Sequence, residues 1–89
     1  MIAEPDKAAI LECAKRYNVS VVYLFGSALE PDVDAHDIDV GVKGIEPEHF
    51  FKFYGELMKH VSKPVDLVDL SEESRFNKLV EETGMKIYG

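Results

Sequence analysis

Two aspartates at alternate positions, Asp37 and Asp39 in the run Asp37-Ile38-Asp39-Val40, close a segment from Tyr23 to Val42 that carries five carboxylates. Residues i and i+2 of an extended strand point to the same face, so these two acids should stand side by side. Carboxylates held that close repel one another unless a cation lies between them. A third acid, Asp66 in the apolar run Val65-Asp66-Leu67-Val68, would be costly to bury without a partner. Its rival Asp69 faces the other way along the same strand and is better suited to assist the start of the last helix. Three converging carboxylates without thiolates make a hard-oxygen site for Mg2+ or Mn2+. Upstream, Gly26 and Ser27 end an apolar run, where a turn would offer backbone N–H groups and a hydroxyl to an oxyanion such as phosphate. The pattern describes a metal-assisted phosphate site. Nucleotidyl transfer needs such parts: two divalent ions about 4 Å apart activate an attacking oxygen and stabilise the leaving pyrophosphate. In that chemistry Asp37 and Asp39 bridge both ions, while Asp66 binds only the ion at the nucleophile and helps take its proton.

These residues need elements to hold them. Ile10, Cys13, Ala14 and Tyr17 recur at helical spacing, and with Pro5 and Asp6 in the first turn and Asn18 as a stop they predict a helix from Pro5 to Tyr17. Val19 to Phe25 is apolar at nearly every position, the pattern of a central strand covered on both faces. Ala28 to His36 reads as one helical turn and then a loop. Asp37 to Val42 reads as a second strand, with Ile38, Val40 and Val42 on a separate line from the acids and with Gly41 and Gly44 breaking it. Pro47 opens a helix whose buried stripe is Phe50, Tyr54, Leu57 and Val61, widened by Phe51 and Met58, with Phe53 on the other side. Three phenylalanines in four residues cannot all face inward, so one marks a partner surface. Val65 to Leu70 makes a third strand, Ser71 caps a last helix running to about Thr83 with Gly84 at its end, and Lys86 to Tyr88 adds an edge strand. The first two strands have no crossover helix between them and should pair antiparallel, in a mixed α/β sheet of α+β type.

The chain has 89 residues, 46% of them hydrophobic, which predicts one compact domain over residues 1–89. A core this small makes an obligate partner or a homo-oligomer a reasonable expectation. The net charge of -7 disfavours non-specific binding to nucleic acid or anionic membrane, because both depend on basic patches. Cys13 is the only cysteine, which excludes an internal disulfide and a thiolate zinc cluster and fits a reducing, cytoplasmic setting. No apolar run approaches the ~20 residues of a membrane span, and no leader is evident. His36, His49 and His60 are expected on the surface.

The stretch "LFGSALEPDVDAHDIDV" resembles the signature of the DNA polymerase beta-like nucleotidyltransferase superfamily: two hydrophobic residues, Gly-Ser, a spacer, then Asp-hydrophobic-Asp-hydrophobic. With the later "VDLV" and the small size, it is similar to the minimal nucleotidyltransferase (MNT, MntA-like) branch, over about Ala8 to Leu79. The resemblance implies that Gly26 and Ser27 bind the triphosphate of ATP and that Asp37, Asp39 and Asp66 hold two Mg2+ ions. It also implies a small helical partner of the HEPN type, a toxin ribonuclease, to a tyrosine of which AMP is transferred so that the chain acts as antitoxin. One departure is visible: where many relatives follow Gly-Ser with basic residues, this chain has Ala28-Leu29-Glu30-Pro31. Lys43 and Lys63 are the candidates to compensate. Two other functions compete with the enzyme: a binding module that neutralises its partner by occupying it, and a small-molecule transferase of the aminoglycoside type, for which the chain lacks an acceptor domain.

Overall fold

The computed structural model describes residues 2–29 and 36–89; the Ser27 and Ala28 side chains and the acids Glu30, Asp32 and Asp34 lie outside the described set. The elements in chain order are α1 (Glu4–Arg16), β1 (Val21–Phe25), a 3-10 turn (Gly26–Leu29), β2 (Ile38–Lys43), a 3-10 turn (Pro47–His49), α2 (Phe50–His60), β3 (Val65–Asp69), α3 (Arg75–Thr83) and β4 (Met85–Tyr88). Helix α1 starts with Pro5 in its first turn, has acids Glu4 and Asp6 there and bases Lys15 and Arg16 in its last turn, so its side chains complement the backbone dipole. Asn18, at φ 56°, adopts the left-handed conformation that ends the helix and turns the chain into β1.

The four strands form one mixed sheet in the order β3-β2-β1-β4. Strand β1 pairs antiparallel with β2 and with β4, while β2 and β3 run parallel across the α2 crossover. The antiparallel hairpin and the edge strand were both legible in the sequence. Alternation divides the sheet into two faces. On the first, Val22, Leu24, Ile38, Val40, Val42 and Val65 are buried against Ile10, Cys13 and Ala14 of α1 and Phe53 and Leu57 of α2. On the second, Lys43 pairs with Glu81 of α3 at 2.7 Å and Phe25 meets Phe76 of α3, so that helix lies over part of this face. Strand β1 is therefore fully buried on one side and only half-covered on the other, unlike the two-sided burial its apolar run predicts.

Three local expectations are corrected. In α2 it is Phe53 that reaches the core, fully buried with Leu57, whereas Phe51 and Met58 point to solvent. Phe53 lies three residues after Phe50 and four before Leu57, so it belongs to the stripe they define. The last helix is capped by Ser74, whose hydroxyl accepts from the Asn77 N–H at 3.0 Å, not by Ser71. Gly41 does not break β2: it is buried in mid-strand, where an added Cβ would lie 2.6 Å from Leu70 Cδ1, so the missing side chain makes room for Leu70. Gly44, at φ 79°, does end the strand region.

Two polar clasps fix the layers. The buried Asp6 carboxylate accepts from Ser62 N–H at 2.9 Å and Ser62 Oγ at 2.7 Å, tying the start of α1 to the approach to β3. Tyr54 Oη donates to the Val65 carbonyl at 2.7 Å, tying α2 to the head of β3. Among the described residues no helix is long and apolar enough to cross a membrane.

Candidate functional site

The three acids lie near one another at the start of β2, on the second face of the sheet. Asp39, half-buried in β2, is flanked by two register partners, Phe25 across the antiparallel pairing and Asp66 across the parallel one. Directly opposed residues on neighbouring strands project to one face, so Asp39 and Asp66 stand together. Asp37 precedes the first residue of β2 by one position and is exposed, as is Asp66. The Asp39 carboxyl is pushed above the usual aspartate range, first by burial, then by the negative charges of Asp66 and Asp37. The acids that the sequence marks are thus within one electrostatic neighbourhood.

Gly26 closes this site on the β1 side. Its φ of 66° is one that residues with side chains rarely adopt, and an added Cβ would strike Asp39 Oδ2 and lie 3.3 Å from Asp39 Cγ. The bare backbone of Gly26 thus lies against the Asp39 carboxylate, joining two pieces of the motif that are thirteen positions apart in number. Ser27 follows in the 3-10 turn Gly26–Leu29, which starts two residues before the helical turn expected from Ala28, and most of the loop expected after it lies outside the described residues.

The ion pairs among the described residues lie elsewhere: Arg16 and His60 with Glu56, and Lys43 with Glu81. Lys43 therefore does not supply the missing cation, since it stands at the far end of β2 from Asp39 and is engaged by α3. Lys63 lies in the segment before β3 and has interactions of its own. His36 is exposed next to Asp37, His60 is exposed, and His49 is half-buried with its ring 6.2 Å from that of Tyr17. Asp69 accepts from the Ser71 N–H at 2.9 Å, and Asn77 Nδ2 reaches the Asp69 carbonyl, so Asp69 serves the turn into α3 and not the acid cluster.

Among the described residues, no three His, Cys, Asp or Glu side chains are arranged as a preformed metal cage. The donor chemistry nonetheless suits a hard divalent cation, because an all-carboxylate set with mutual repulsion gains most from one. The cavity lined by Lys43, Leu70, Ser74, Asn77 and Glu81 lies over the other end of the face, away from Asp39. Two aromatic residues not singled out from the sequence are Phe25, the cross-strand partner of Asp39, and Phe76, whose ring meets that of Phe25 at 5.9 Å. The signal for Phe25 was its place directly before Gly26, which strand alternation puts on the acid face; for Phe76 there was none, because it depends on how α3 folds back.

Comparison with known proteins fits this geometry. No curated protein sequence gives a significant match. Among solved structures, a chain of a toxin-antitoxin crystallised with AMP-PNP superposes with a TM-score of 0.76 at 23% identity, covering 93% of this chain and 73% of that one. A chain of the toxin-antitoxin MntA-HepT superposes with a TM-score of 0.73 at 22% identity, covering 98% of this chain and 73% of that one. At that identity the likeness is one of fold. The sequence itself matches the model of the family "Polymerase beta, Nucleotidyltransferase" from residue 8 to residue 89, essentially the whole sheet and its helices. On that match the chain belongs to the polymerase beta nucleotidyltransferase family.

Proposed function

We propose that residues 1–89 act as a single-domain, metal-dependent nucleotidyltransferase that moves AMP from ATP to a hydroxyl, a tyrosine of a HEPN-type toxin, and so serve as antitoxin. The observation that carries this reading is the direct register of Asp39 with Asp66 beside Gly26. The toxin-antitoxin nature of the structures with the same fold, one of them with AMP-PNP, supports the nucleotide and the kind of partner.

In this reading Asp37, Asp39 and Asp66 would hold two Mg2+ or Mn2+ ions, which would supply charge neutralisation at the phosphates and make the attacking hydroxyl more acidic. The backbone amides at Gly26 and Ser27 orient the distal phosphates. Asp66, exposed at the edge strand, is open to an incoming acceptor and receives the proton of its hydroxyl. The acceptor oxygen bonds to the α-phosphorus, the bond from that phosphorus to the bridging oxygen breaks, and pyrophosphate leaves with the electron pair.

The test is label transfer from ATP labelled at the α-phosphate, with manganese, into a lysate of the source organism. A protein band labelled by the wild type and absent with Asp39→Asn is the expected result; equal labelling by both would refute the proposal. A second reading is favoured by the run Ala28-Leu29-Glu30-Pro31, which lacks cations to neutralise phosphate. In that reading the chain neutralises its partner by occupancy alone, and an Asp37→Asn, Asp39→Asn double variant would still neutralise it.

A further inference from the structure

We infer that the exposed ring of Phe76, propped against Phe25 beside the acid cluster, is the shelf on which the base of the donor nucleotide stacks. The inference rests on the nucleotidyl-transfer reading and adds the base-binding side, which neither the acids nor Gly26 supply.

The geometry comes from three elements. Phe25 is the cross-strand partner of Asp39, so its ring and the carboxylate project from the same face about 5 Å apart at their Cβ atoms. Phe76, at the second residue of α3, meets Phe25 in a T-shaped contact with centroids 5.9 Å apart and planes at 78°. That contact fixes the orientation of the Phe76 ring, yet 51% of the residue remains exposed. Phe76 is thus separated from the acid cluster by a single side chain, Phe25, which is both the cross-strand partner of Asp39 and the residue directly before Gly26.

Charge is compatible with this occupant: the three acids make the neighbourhood negative, which disfavours a second anionic group on the ring, whereas a base is flat and uncharged. Base stacking on an aromatic side chain tolerates any base. Phe76 therefore governs nucleotide affinity and not the choice of base.

The chain contains no tryptophan, so Phe76→Trp places a single fluorescent reporter on the shelf. With Mg2+ present, ATP should quench that fluorescence and inorganic tripolyphosphate should not. In titration calorimetry on the full chain, Phe76→Ala should weaken ATP about 10-fold or more and leave tripolyphosphate unchanged. Phe51→Ala, at an exposed phenylalanine on the opposite layer, should change neither. If Phe76→Ala keeps wild-type ATP affinity, the shelf is refuted while the phosphate site stands. A loss of acceptor labelling in that case would assign Phe76 to the acceptor protein instead. Equal weakening of both ligands would also overturn the proposal, by making Phe76 a support of the phosphate turn. If the wild type binds neither ligand, the shelf and the nucleotidyl-transfer reading fall together.

Discussion

The two faces of one sheet are built to opposite rules. The face under α1 and α2 is closed by interlocking apolar side chains, with Val22, Leu24, Val40, Val42, Phe53 and Leu57 all out of contact with water. The face under α3 is partly open and carries Asp39, Asp66 and Lys43 on strands whose other sides are apolar except for Asp69 at the exposed end of β3. A small domain cannot bury like charges and remain stable, so the closed face must supply the stability that the open face lacks. Substitutions on the first should therefore act on folding, and substitutions on the second on ligands.

The largest effect is expected from Phe53→Ala, which empties the centre of the closed face and should lower unfolding free energy by about 3–5 kcal/mol in a urea titration. Phe51→Ala, on the same helix but exposed, should stay within about 0.5 kcal/mol. Next is the response of the open face to cation. If the acids bind manganese, wild type at a hundredfold excess over the dissociation constant should gain about 2.7 kcal/mol, and Asp39→Asn should gain far less, by thermal melting. An unchanged melting temperature across millimolar manganese would remove the metal reading. Gly26→Ala should cost about 1–2 kcal/mol from its left-handed φ alone and displace the Asp39 carboxylate, so that ATP binding falls more than folding does.

The smallest effect concerns pH. The Asp39 carboxyl is held above its ordinary range in the folded state, so the folded chain keeps this proton to higher pH than the unfolded chain does. Stability from this group is then fully present below the unfolded value and is lost as pH rises through the folded one. Metal-free Asp39→Asn should accordingly be slightly more stable than wild type at neutral pH, and the difference should vanish as pH drops below the ordinary aspartate range. The reverse trend would mean that Asp39 has a cationic partner.

Much of this was legible in the sequence because its signals are local. Period-two alternation separated Ile38, Val40 and Val42 from Asp39, and the absence of a crossover helix gave the antiparallel hairpin. The convergence of Asp66 with Asp39 was anticipated from chemistry and family resemblance, but their direct parallel register was not, since nothing in the spacing fixes it. The place of Phe53 was legible too, because it lies three residues after Phe50 and four before Leu57 on the buried stripe, but it was assigned to the other side. The rest of what escaped depended on contacts distant in sequence. Ser71 and Ser74 are both plausible caps, and the choice follows from Asn77, which anchors the turn through the Asp69 and Glu72 carbonyls. Gly41 looked like a breaker because Leu70, which fills its space, lies almost thirty positions on.

The parallel pairing of β2 with β3 has a consequence for the order of events during synthesis and unfolding. The β1–β2 hairpin closes through contacts near in sequence, whereas β3 docks only after the whole of α2 has crossed the sheet. A nascent chain halted before β3 would carry the Gly26 turn, Asp37 and Asp39 but not Asp66. In the mature fold β3 is an edge strand, the kind of element that detaches first in partial opening. The three-acid cluster is thus completed only when β3 docks, so a molecule in which that edge has opened keeps the Gly26 turn and two of the acids but loses the third while its core persists.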